Sequence, residues 1–339
     1  MELFRLVAML LVLIVHATFL ALGVPTHEDA IQSPISTLTI FFSQSISTIC
    51  VDSFVLLSGW FGINLRWNKL FSFIFQVFFF SILIFFLLLA YLPNQHLNIN
   101  TLGAVLLVQS GDYWFAKAYI GLMLIAPALN LLVEHTTRRQ LRNLLIAWFA
   151  FQTIYGWLSI DGASWVGGGY SAASFAGLYL LARYIRLYPT KCCQWNCSKN
   201  LICVFSIAIF ITILAYFVTF LGLPICGRLF TNTNPLIIVE ALYLLLAFSK
   251  MTIKSKTINW IASSSFAIYL LHANSLFLRP HYGRIIREWY QNEGTVLFLI
   301  YTLSFMLLLS VIAVLVDKFR MRLWSILYGN KTSCEDIVS

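Results

Sequence analysis

The stretch IFQVFFFSILIFFLLLAYL, Ile74 to Leu92, holds little beyond Phe, Ile, Leu, Val and Ala. A helix needs about 20 such residues to cross about 30 Å of hydrocarbon at 1.5 Å per residue. Core helices and strands of a soluble enzyme are shorter and amphipathic. Val296 to Val316 repeats the pattern. Outward from these two runs, apolar segments lie near 4–24, 41–62, 70–92, 114–134, 141–159, 170–188, 201–221, 234–250, 258–278 and 295–317. They predict an all-α, polytopic transmembrane helical bundle of about ten spans, of which the fifth and sixth are the weakest. Thr101 to Gln109 is apolar but too short to cross, and reads as re-entrant or interfacial.

Composition agrees. The chain is 60% hydrophobic and 10% charged, against about 25% charged residues in a soluble domain. So few charges cannot clothe a water-soluble body of this size, and the lipid bilayer is the expected partner. The net charge of +9 fits basic cytoplasmic loops better than nucleic-acid binding. The even-numbered loops carry Arg66 and Lys69, then Arg138, Arg139 and Arg142, then Arg183, Arg186, Lys191 and Lys199, then Lys250, Lys254 and Lys256. The tail adds Lys318, Arg320, Arg322 and Lys331, whereas the odd-numbered loops hold only Arg228, Arg279, Arg284 and Arg287. The positive-inside rule then puts both termini in the cytoplasm, in accord with an even number of spans. The expected organisation is a single transmembrane domain over 1–339 with a short cytoplasmic tail at 318–339. The first apolar segment lacks a small-residue cleavage site and reads as a retained span.

Of the seven cysteines, only Cys192, Cys193 and Cys197 cluster, at a spacing that matches no ordinary zinc pattern, so no metal is expected. Gly167, Gly168 and Gly169 read as a flexible external loop; a phosphate cradle would need a preceding strand and a following Lys-Ser pair.

Ionisable residues inside spans are costly and mark functional sites. Here they are Arg5, His16, Asp52, Lys117, Glu240 and His272. Eleven helical positions turn by three turns plus about 20°. Arg5 and His16 therefore share one face about 16 Å apart, a cation at the inner mouth and an imidazole past the midplane. That stripe suits a long anionic cosubstrate entering from inside. The plainer readings are a snorkelling anchor for Arg5 and an interhelical hydrogen bond for His16. His272 lies at similar depth, with Ser265 and Tyr269 roughly on its face. Asp52 needs a partner or acts as a cap, and Thr48 and Gly59 on its face let another helix come close. Lys117 and Glu240, near Trp114 and Asn234, either pair with each other or line an acceptor site.

These residues also form a pattern. Phe4-Arg5 through His16 resembles the arginine, ten residues, histidine signature of the acyltransferase family 3 membrane proteins. Val51-Asp52-Ser53-Phe54-Val55-Leu56-Leu57-Ser58-Gly59-Trp60-Phe61 looks like that family's second-helix motif, with Val55 in place of a Phe and Trp60 in place of the last Phe. Tyr113-Trp114-Phe115 through Pro127 is similar to its Trp-led, Pro-ended span, and Ser265 through Tyr269-Leu270-Leu271-His272 resembles its late Tyr-Leu-x-His motif. The matches run in the family's order over nearly the whole chain.

The resemblance implies an O-acyltransferase that takes an acyl group from cytoplasmic acyl-CoA, usually acetyl-CoA. The acceptor is then a hydroxyl on a sugar or lipid-linked glycan. Arg5 and His16 correspond to the family's functional pair. The run Gly177-Leu178-Tyr179 and Asn130 after Pro127 look like bacterial exopolysaccharide O-acetyltransferases, which implies the cytoplasmic (inner) membrane. Some family members carry a fused extracytoplasmic domain, and this sequence reads as a standalone enzyme without one. The expected catalytic residues are His16, Arg5 and Asp52. Arg5, Ser58 and Arg66 are expected to meet the donor. Trp114, Lys117, Glu240, Tyr269 and His272 are expected to meet the acceptor. His16 acts as general base or takes the acyl group itself. The competing reading is a glycan transporter or flippase, for which an inverted repeat is the usual sign, and none is evident.

Overall fold

Glu2 to Val15 forms helix α1, and from His16 the chain widens into a π-helical turn, His16–Leu20. The computed structural model describes residues 1–91, 113–159 and 166–328, together with position 103. Apart from that one position, the segment Thr101–Gln109 lies outside the described residues. All regular structure among them is helical. A capping box between Thr26 and Asp29 opens the short α2, His27–Gln32. Pro34 then starts α3, Pro34–Thr48, which with α4, Cys50–Phe61, makes one apolar span. Next come α5 (Trp67–Tyr91) and α6 (Trp114–His135). Helix α7 (Arg138–Phe151) runs into a second π-helical turn, Gln152–Leu158, and α8 covers Ala172–Leu187. Then follow α9 (Cys197–Phe220), α10 (Pro235–Ser249), α11 (Lys256–Ala262) and α12 (Ser265–His272). The last are α13 (Ser275–Phe277), α14 (Arg284–Asn292) and α15 (Thr295–Tyr328).

The chain is thus a polytopic helical bundle. Among the described residues 7 helices are long and apolar enough to cross a membrane, or 8 if the bent pair Lys256–His272 and Ser275–Asn292 is one span. The fifth and sixth expected spans correspond to α7 and α8. The first turn of α7 is crowded with arginine, and α8 has only 16 residues.

The ninth expected span is not a straight helix. It breaks at Ser263–Ser264 and again after His272, where the chain bends by 56°. Asn274 builds the second break by accepting a hydrogen bond from the Leu276 N–H at 3.0 Å. The tenth span overruns its expected end: α15 continues through Tyr328, so the segment expected as a tail from 318 begins as helix. Asp317, fully buried there, accepts from Arg320 Nε at 2.6 Å and from Gln76 Nε2 at 2.9 Å. The Gln76 hydrogen bond ties this part of α15 to α5.

Helix α1 sits inside the bundle, against α3, α4, α11 and α12. Beside it, α4 and α8 pack so tightly that a Cβ on Gly59 would come within 2.4 Å of the Tyr179 carbonyl oxygen and 2.9 Å of the Ala182 Cβ. A small residue lets two backbones meet, as membrane helices require where no water drives them together. Replacing Gly59 with Val is expected to destabilise the bundle by roughly 1–3 kcal/mol through forced separation of α4 and α8. Thermal unfolding in lipid nanodiscs checks this, and an unchanged melting temperature contradicts it.

Candidate active site

The face of α1 that carries Arg5 and His16 borders a cavity of about 260 Å³. Met9, Val12, Val15, His16 and Leu20 line it in succession, so the cavity follows the second half of α1 and the π-helical turn. Met9 stands one turn from Arg5, about 6 Å along the axis. Phe54, Phe115 and Phe266 supply apolar wall, and Gln44, Thr48, Cys50 and Asn232 add polar atoms.

His16 lies where α1 gives way to the π-helical turn, a distortion common at functional sites. Its Nδ1 is 2.9 Å from Nε2 of His272, and the ring centroids are 5.1 Å apart. His272 is fully buried at the last position of α12, and its Nδ1 lies 2.6 Å from the Ile268 carbonyl oxygen. A carbonyl only accepts, so His272 Nδ1 carries the proton. Neither ring has a carboxylate partner among the described residues, so a charged pair would be uncompensated. With both rings neutral, His272 Nε2 is an acceptor and His16 Nδ1–H donates to it. His16 Nε2 is then left with a bare lone pair on a residue that lines the cavity.

The pair is braced from behind. Tyr282, fully buried and unflagged by the sequence, donates to the Leu13 carbonyl at 2.8 Å and packs on His272 with centroids 5.5 Å apart. Arg287 Nε donates to the Ala21 carbonyl at 2.7 Å, closing the end of the π-helical turn. Thr18 donates to Gln44 on α3. Tyr113 holds a left-handed backbone at φ 44°, costly by roughly 1–2 kcal/mol for a residue with a Cβ. Its hydroxyl offsets this by donating to the Leu270 carbonyl at 2.5 Å and accepting from Asn274 at 3.1 Å. This contact fixes the start of α6, and with it Trp114 and Phe115, against α12.

The other expected residues divide. Trp114 and Tyr269 line the cavity with His16, and His272 reaches it through the imidazole pair. Arg5 is ion-paired to Glu2 at 2.7 Å and partly exposed. Ser58 does not line the cavity; its hydroxyl is 3.0 Å from that of Tyr119, one turn beyond Phe54 and Phe115. Arg66 is exposed ahead of α5. Asp52 is fully buried, but neither carboxylate oxygen has a hydrogen-bond partner among the described residues, and it does not line the cavity as its neighbours Cys50 and Val51 do. The close approach expected on its face is the Gly59 contact with α8. Glu240 is likewise fully buried, neither of its oxygens has a hydrogen-bond partner among the described residues, and neither it nor Lys117 lines the cavity. Among the described residues no three His, Cys, Asp or Glu side chains gather as metal ligands. Cys192, Cys193 and Cys197 are free thiols.

An imidazole pair beside a cavity in a membrane bundle is the candidate site. The family model for the acyltransferase domain, acyltransferase family 3, matches residues 1–315, and the chain belongs to that family. Neither the curated proteins nor the solved structures contain a match to it. It is an acyltransferase.

Tyr282→Phe removes the buried hydrogen bond to the Leu13 carbonyl, which keeps only its backbone partner, the His16 N–H. The expected loss is about 0.5–1.5 kcal/mol of stability. Equal unfolding temperatures for the two proteins contradict the bracing role.

Proposed function

We propose that this protein moves an acyl group, acetyl in the first instance, from cytoplasmic acyl-CoA to a hydroxyl of a cell-surface or exopolysaccharide sugar, in the bacterial cytoplasmic membrane. The observation that carries this reading is the His16 Nε2 lone pair on the cavity, held by His272 and the Ile268 carbonyl. The acetyl group, the CoA donor and the glycan acceptor follow from the sequence resemblance.

In this mechanism Arg5 meets the donor's phosphates at the inner mouth, where its planar fork suits a phosphate better than Glu2 does. The pantetheine arm runs along the α1 face from Met9 toward His16. His16 Nε2 takes the acceptor's hydroxyl proton as its oxygen attacks the thioester carbonyl. The C–S bond breaks, and the departing thiolate recovers that proton from His16. An ester and free CoA–SH result. During the step His16 is transiently imidazolium, and its Nδ1–H bond to His272 strengthens as the charge appears. His272 is thus a positioning residue that holds one tautomer and orientation of His16. The geometry gives Asp52, Arg66, Lys117 and Glu240 no contact with this path, and no step is assigned to them.

Three variants test the assignment with labelled acetyl-CoA and cell-envelope glycans as substrates, the protein being reconstituted in lipid. His16→Ala is expected to abolish transfer while remaining folded; transfer at the wild-type rate would falsify the mechanism. His272→Ala is expected to lower kcat by about 10²-fold or more with little change in the donor KM, the range for a base that loses its orientation. A change confined to KM contradicts its positioning role. Arg5→Ala is expected to raise the donor KM about tenfold, as loss of one charged hydrogen bond does. An unchanged acyl-CoA affinity removes Arg5 from the donor site.

A further inference from the structure

The end of the cavity farthest from Arg5, beyond His16 near Leu20, is walled by the segment that leads into α10. Four polar residues follow one another there, Thr231, Asn232, Thr233 and Asn234. Three have their side chains committed to the fold. Thr231 donates to the Arg228 carbonyl at 3.0 Å, and Thr233 to the Gly156 carbonyl at 3.4 Å. Asn234 donates to the Leu229 carbonyl at 2.7 Å and caps α10 by accepting from the Leu236 N–H at 3.0 Å. Asn232 is different. It is only 4% exposed and lines the cavity, yet its amide makes no hydrogen bond among the described residues. Its amide atoms stay accessible from the cavity, unlike the sealed, unpartnered oxygens of Asp52 and Glu240. A fold that partners both neighbours and leaves this amide open to a cavity has kept its donors and acceptor for something that enters.

The glycine run fixes where Asn232 stands. Gly169 has φ +95°, and a Cβ there would fall 2.6 Å from Asn232 Cβ and 3.1 Å from its carbonyl carbon. The loop expected to be flexible is instead pressed against the Asn232 backbone. The next residue, Tyr170, also lines the cavity and meets Trp114 edge-on, with centroids 4.4 Å apart. Tyr170 is half-exposed. An apolar aromatic edge beside an open amide offers a ring's C–H face and its hydroxyls their two kinds of contact.

We propose that Asn232, with the Trp114–Tyr170 pair beside it, forms a polyhydroxyl-binding subsite that reads the acceptor's ring hydroxyls and presents one of them to His16. It rests on the glycan acceptor of the reading above and adds the residues that select it. Asn232 supplies two N–H donors and a carbonyl acceptor, which fit adjacent hydroxyls of one sugar ring. A site built to bond a hydroxyl discriminates strongly against analogues that lack it.

The test is binding of methyl glycosides of glucose, galactose, rhamnose and N-acetylglucosamine to nanodisc-embedded protein by saturation-transfer NMR, with acetyl-CoA binding measured alongside. Wild type is expected to bind at least one glycoside, and Asn232→Ala to bind it about tenfold more weakly, with acetyl-CoA affinity unchanged. Tyr170→Ala, at a half-exposed position, is expected to weaken the same glycoside and serves if Asn232→Ala does not fold. Wild type that binds none of the four overturns the proposal, as do variants that bind as tightly as wild type. Parallel loss of acetyl-CoA binding marks Asn232 as a scaffold residue and overturns it too. Glycoside binding through Asn232 in a protein that acetylates no glycan keeps the subsite and overturns the glycan-acetylation reading.

Discussion

An imidazole carried into the hydrocarbon layer has no water to bond, and each of its ring nitrogens needs a partner inside the protein. His16 meets that need at Nδ1 with another imidazole, His272, which arrives from the far end of the chain. Much of the surrounding structure serves this contact. The ninth expected span stops at His272 because the ring must be delivered at a helix end, where Asn274 turns the chain away. The Ile268 carbonyl sets the proton on His272, and Tyr282 and Tyr113 tie the backbones of α1, α6 and α12 to the same point. Because these bonds use up every nitrogen but one, the pair exposes a single basic atom to the cavity.

Polar groups stand differently on the two sides of His16. Toward Arg5, outside the cavity lining, they are engaged with one another: Arg5 with Glu2, and Ser58 with Tyr119. A ligand entering there must compete for those contacts, which suits a strongly anionic donor. Beyond His16 the Asn232 amide has no competitor. A neutral acceptor with modest hydrogen-bonding strength needs such a pre-cleared group, since displacing an internal bond would cancel its gain. Between the two ends the wall is aromatic, with Phe115 packed on Tyr119 at 5.8 Å and Phe266 on Tyr269 at 5.4 Å.

Much of this was legible in the sequence. Apolar runs long enough to span a membrane are a local property, so the bundle could be read from Ile74–Leu92 and its counterparts. The eleven-residue interval places Arg5 and His16 on one face because α1 stays helical through Val15. Depth alone put His272 level with His16. What sequence could not supply is which helix faces which. Asp52, Lys117 and Glu240 are as ionisable as His16, yet none of them lines the cavity, and an intramembrane charge reports burial without reporting direction. Asn232 and Tyr282 escaped notice because uncharged polar side chains near helix ends are common. Only the bonds their neighbours make set them apart. The glycine run reads as flexible because its partner, Asn232, lies far along the chain. Arg320 falls where a tail is expected, and the Gln76 bond that joins its local pair with Asp317 is a tertiary fact.

The most direct measurement is the protonation pattern of the two imidazoles, read by solid-state NMR of protein with ¹⁵N-labelled histidine in lipid bilayers at neutral pH. Assignment comes from single replacements of His16 and His272. The account predicts two neutral rings, each with its proton on Nδ1, and an unprotonated Nε2 on His16. A His16 ring protonated on Nε2, or a doubly protonated ring at either position, would leave no lone pair facing the cavity and would contradict it.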